Sequence, residues 1–231
     1  MTDLLIPYRM STDDAVTVAL LFCMFLVAGS VIYLGVPLLR QIGRTPLFSF
    51  KKRDFSEIGV PSGTLVLLQV QACISTGLMV MALSVDYEPG LVHLSWATGW
   101  LLLVYILASA LFYWLRWLLY KFVGWLFFTP SEVEKAIDGW VNFVCASGVF
   151  LLVVVLIGIY YPISFNTFAT LGIMAVFIAD VLLFCWLKKL FYPNFYGGLL
   201  LFLYFCALEI IPIILMVLGI VSLNEYLLLN Y

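Results

Sequence analysis

Charge is what this sequence has least of. Only 10% of its 231 residues are Asp, Glu, Lys or Arg, against roughly a quarter in soluble domains. Histidine occurs once, at His93, which removes most multi-histidine chemistries. The five cysteines (Cys23, Cys73, Cys145, Cys185 and Cys206) all fall inside apolar runs without a CxxC pair. They read as small buried side chains, which disfavours both a metal set and a disulfide framework. Phosphate-cradling loops, nucleophile elbows and metal-ligand repeats are missing as well. No cofactor, no catalytic reaction and no nucleic-acid partner is therefore expected.

The excess is apolar. Hydrophobic residues make up 65% of the chain and the mean hydropathy is +1.15, which points to lipid as the solvent. The length allows several spans of about 20 residues each. We expect an all-α, polytopic membrane helix bundle, a single domain over residues 1–231, with six spans near 15–39, 62–84, 91–115, 140–161, 167–187 and 199–223. The first run is too long for a signal-peptide core and reads as a retained anchor.

Residues 91–128 cannot form one simple span, because a single helix would be about 57 Å long against roughly 30 Å of hydrocarbon. Arg116 and Lys121 mark where the third span leaves the core. Residues 117–128 (WLLYKFVGWLFF) then suit either an interfacial helix in the headgroup layer or a bent continuation packed on other spans. Thr129, Pro130 and Glu132 form a helix start with a capping box, opening a short polar helix over 131–139 that leads into span four.

The bases are distributed unevenly. Assigning the loops after spans one, three and five to the cytoplasm gives them ten of the eleven lysines and arginines, leaving Arg9 opposite. By the positive-inside rule both termini lie outside, which is the periplasm in a bacterial inner membrane. Arg40, Arg44, Lys51, Lys52 and Arg53, interleaved with Phe48 and Phe50, are candidate contacts for anionic lipid headgroups or simply the charge that orients the chain.

At an offset of 72, residues 97–120 match residues 169–192 at ten of 24 positions, with LFYWLRWLLY set against LFCWLKKLFY. This reads either as a parallel repeat of hairpins three-four and five-six or as shared exit-signal chemistry.

The residues most out of place are two acids at membrane depth, Asp180 and Glu209. A carboxylate in hydrocarbon costs at least a few kcal/mol, so such residues face a partner or a water path. Arg116, at the same end of its span, is the candidate partner of Asp180. Glu209 stands three residues before Pro212, which frees a backbone carbonyl and kinks its helix. The pair reads as a proton or ion relay, or as polar locks on helix packing. Gln69, with Cys73 and Thr76, makes a mildly polar face on span two suited to helix association, while Gln71 and Ser75 point elsewhere.

Residues 204–212, Tyr-Phe-Cys-Ala-Leu-Glu-Ile-Ile-Pro, with the preceding WLKKLFYPNFYGG, resemble the C-terminal signature of a Bacteroidota membrane-protein family, domain of unknown function 4271. Phe205 stands where that pattern usually has leucine. The resemblance extends more loosely from Phe48 onward. It implies a polytopic inner-membrane protein and brings no reaction, cofactor or catalytic residue. Taken with the short external loops and aromatic cytoplasmic rim, the expectation is a non-enzymatic multi-pass subunit of a cell-envelope protein complex, for export or envelope assembly. Its partners would be the lipid bilayer and other membrane proteins. The alternative is a small proton- or ion-coupled transporter using Glu209 and Asp180.

Overall fold

The computed structural model describes residues 13–34, 62–87, 98–127, 130–161, 164–191 and 210–230. Among them there are six helices and no strand: α1 (Asp14–Leu34), α2 (Ser62–Tyr87), α3 (Thr98–Phe127), α4 (Pro130–Tyr160), α5 (Phe165–Phe191) and α6 (Ile211–Asn230). The first five are long and apolar enough to cross a membrane. The chain is thus multi-pass by length and composition. In α6 the apolar stretch Ile211–Tyr226 is shorter, and residues 199–209 of the expected sixth span lie outside the described residues.

Local chemistry sets the helix starts. Asp13 caps α1, its carboxylate accepting from the Ala15 amide at 2.9 Å. Ser164 caps α5, its hydroxyl accepting from the Thr167 amide at 3.4 Å. Pro130 is the first residue of α4, where its missing N–H is no loss. Pro212 stands buried in the first turn of α6, as its second residue.

Two helices run past the expected ends of their spans, the first in keeping with the alternative of a continuation packed on other spans. Residues 117–127 are the last turns of α3, one helix of 30 residues and so about 45 Å long, rather than a separate segment. Packing explains the continuity. The Tyr120 and Trp140 rings meet at 5.8 Å, and Gly124 lets Val133 of α4 come close, since a Cβ there would lie 2.7 Å from a Val133 methyl. Similarly, α6 runs to Asn230 instead of releasing a tail at 224, because Asn224 is buried against α3.

Neighbouring helices alternate in direction. Where α1 starts, α3 also starts, with Gly99 beside Ala15, and α6 approaches its end, with the Tyr105 hydroxyl donating to Asn224 Oδ1 at 2.6 Å. The end of α2 meets the start of α5 there through Tyr87 and Phe165. This first end holds the larger apolar core, including Val16, Leu20, Leu78, Met81, Tyr105, Val155 and Phe168. A smaller core of Ala72, Tyr120, Trp140, Val144 and Leu183 fills the second end.

The bundle is built around α2. Buried residues make up 56% of its span against 22% for α1 and for α5. Small residues let the neighbours approach it, as expected where packing rather than water drives helix association. A Cβ on Gly77 would stand 3.0 Å from the Ile106 backbone of α3. One on Gly148 of α4 would collide with Ala72, lying 2.7 Å from its Cα. The Gly172 site on α5 is filled by the Met79 methyl.

Replacing Gly148 by Ala therefore forces backbones apart and is expected to destabilise the bundle by about 1–3 kcal/mol. Gly219→Ala, at a site with nothing within 4 Å, should be neutral or stabilising by up to about 1 kcal/mol. Reversible unfolding in mixed micelles distinguishes the two.

Candidate functional site

The second half of the bundle contains a cluster of polar side chains drawn from three helices, with a backbone carbonyl from a fourth. Arg116 projects from α3 and Asp180 from α5. Nη2 of Arg116 stands 3.5 Å from Oδ1 of Asp180, with side chains only 6% and 17% exposed. The guanidinium also lies over the Phe112 ring, 5.3 Å from its centre. Phe112 precedes Arg116 by one turn, so α3 supplies both the cation and the aromatic face that shields it. Arg116 and Asp180, matched in depth by the sequence, thus meet in space.

One turn away, the Thr76 hydroxyl of α2 donates to the Ala72 carbonyl at 2.9 Å. Its single hydrogen is committed there, so the Tyr113 hydroxyl of α3, 2.9 Å from Thr76 Oγ1, is the donor of that pair. On another face of α2, the Gln71 amide donates to Ser75 Oγ at 2.8 Å and to the Gly148 carbonyl of α4 at 3.0 Å. Both Gln71 and Ser75 are fully buried. The other hydroxyls at this depth bond within their own helices: Ser30 to Leu26, Ser109 to Tyr105 and Ser147 to Val144.

Among the sequence candidates, Gln69 lies on the other face of α2. It is half-buried and forms no hydrogen bond with the described residues, whereas Gln71 carries the inter-helix bond. The physical reason is Gly148, whose missing side chain lets the Gln71 amide reach an α4 carbonyl. Thr76, from the same expected face as Gln69, does bond across to α3. Pro212 is buried in the first turn of α6. Glu209, His93, Arg40, Arg44, Lys51, Lys52 and Arg53 lie outside the described residues. No group of three or more His, Cys, Asp or Glu that could hold a metal occurs among the described residues.

Three contributors escaped the sequence reading: Tyr113, Tyr105 and Asn224. Only Asn224 left a signal, a lone amide at the end of an apolar run. The tyrosines are indistinguishable in sequence from interfacial anchors.

A family profile for a domain of unknown function (DUF4271) matches residues 16–220, from α1 into α6. The chain belongs to that family. No curated protein and no solved structure matches it. The DUF4271 match covers Arg116, Asp180 and the Gln71–Gly148 clasp, so these sit within the family domain rather than in an appended segment.

Removing one member of the ion pair, as in Asp180→Leu or Arg116→Leu, leaves a buried charge uncompensated and should cost about 3–5 kcal/mol. The double replacement with leucines should recover most of that loss. Unfolding titrations of the three variants in mixed micelles, set against the parent, check the cycle.

Proposed function

We propose that this DUF4271 protein is a non-enzymatic integral subunit of a cell-envelope protein complex in the inner (cytoplasmic) membrane, serving export or envelope assembly. It is threaded six times with both termini outside, and hairpins three-four and five-six descend from one duplicated unit. The supporting observation is the way polar side chains join the helices. Bonds run from α2 to α3, from α2 to α4, from α3 to α5 and from α3 to α6. A bundle clasped at so many places suits a rigid platform, whereas a carrier must slide one helix group past another during each cycle.

The second reading, a proton- or ion-coupled transporter, draws on Asp180, which keeps partial exposure beside Arg116 inside the bundle. There Glu209→Gln would abolish uptake while leaving abundance intact, and under the favoured reading it would lower abundance instead. Quantitative immunoblotting beside a transport assay separates these outcomes.

Native mass spectrometry after mild extraction is expected to show the 26.1 kDa chain with a different membrane protein in fixed stoichiometry. A particle containing no other polypeptide would overturn the subunit reading. Reporters fused to either terminus should be active only outside the cytosol, and a protease-protected cytosolic tag would reverse the threading.

A further inference from the structure

The Arg116–Asp180 pair joins two helices that hardly touch. Both α3 and α5 pack against α4, and the two side chains span the gap between them. Arg116 reaches only Oδ1 of the carboxylate, and Asp180 bonds to no other described residue. Its side chain stays 17% exposed, so the gap is not sealed. A buried ion pair needs hydrogen bonds on its remaining lone pairs as well as its own attraction.

The α4 side of the gap carries a second polar group left over. Trp140 is 1% exposed, and its indole Nε1 donates to no acceptor among the described residues. The ring packs in one cluster with Tyr120 of α3 and Leu183 of α5. Tyr120 stands one turn beyond Arg116 and Leu183 one turn beyond Asp180, so Trp140 lies about one turn (5.4 Å) from the pair. An N–H directed into the Tyr120 ring requires nearly perpendicular planes, and these are inclined at 36°. The apolar span of α4 begins at Ile137, which places Trp140 about 4.5 Å from that end.

We infer that one ordered water sits in this gap, accepting from Trp140 Nε1 and donating to the Asp180 oxygen that Arg116 leaves. Three features select water. A direct N–H···O bond needs about 2.9 Å, whereas a water between two groups spans roughly 4.5–5.5 Å, which matches one helical turn. An indole can only donate and a carboxylate can only accept, so the two complement the two roles of a water molecule. Buried polar groups that converge without touching are commonly bridged by water, and the nearby span end supplies it without a long passage through hydrocarbon. Trp140 is then a positioning residue, holding the carboxylate through the water in the orientation that faces Arg116.

Water-selective NMR of the full chain in micelles, with the tryptophan indoles nitrogen-labelled, tests the bridge. Of the seven tryptophans, Trp140 gives the signal lost in Trp140→Phe. Should that variant not fold, Phe variants of the other six identify it by elimination. The Trp140 indole proton should show a cross-peak to water. In the Arg116→Leu/Asp180→Leu chain that cross-peak should vanish, because the acceptor is gone and leucine fills the gap. Asp180→Asn, nearly the same in shape, should shift the Trp140 indole signal, which a merely space-filling tryptophan would not register. The bridge is refuted if the parent shows no water cross-peak at Trp140, the outcome for a dry gap or a direct bond. A cross-peak that persists in the double-leucine chain, or an indole signal that ignores Asp180→Asn, refutes it as well.

Discussion

A polar side chain in hydrocarbon has no water to return to, so each such group must find a partner within the protein or remain at a cost. That constraint orders this bundle. Gln71 reaches a carbonyl on α4, Tyr113 reaches Thr76, and Tyr105 reaches Asn224. Hydroxyls without a neighbour fold back onto their own helix. The result is a network in which helices separated in the chain by up to 119 positions are tied by single bonds.

Individually these ties are modest. Interhelical hydrogen bonds in membranes contribute on the order of 0.5–2 kcal/mol, because the separated helices find other partners. The Arg116–Asp180 pair differs, since breaking it leaves an unpaired charge rather than a lost hydrogen bond. Its effect on net stability relative to an apolar pair is small for the same reason, as desolvation offsets attraction. What it supplies is register. Two apolar helices can slide along one another with little change in contact, but a cation and an anion at fixed heights select one alignment of α3 against α5.

Small residues carry the remaining order. Gly77, Gly148 and Gly172 each admit a neighbour that a side chain would block. Two of these contacts bring a partner onto α2 near Ala72 and Met79, which is why α2 rather than a longer helix forms the centre. The Gln71 clasp depends on the same vacancy at Gly148, so packing and hydrogen bonding there are one feature and not two.

Much of this architecture was legible in the chain. Apolar runs longer than about 18 residues can become little other than spanning helices, because lipid demands that backbone groups be satisfied within the segment. The depth of Arg116 and of Asp180 follows from counting residues at fixed rise, and opposite charges at one depth can be paired without coordinates. The ends of α3 and α6 could not be read this way. Helix continuation there depends on contacts with Trp140, Val133 and Tyr105, which lie far away in sequence. Nor could the chain tell Gln69 from Gln71. Both are amides on one helix, and rotation about the α2 axis decides which meets a partner. That rotation is set by which glycine lies opposite. The sequence alone thus determined the apolar helices and the matching heights of Arg116 and Asp180, since these follow from local composition and constant helical rise. Only the tertiary structure decided which faces meet, because helix rotation and neighbour choice arise from packing between distant segments.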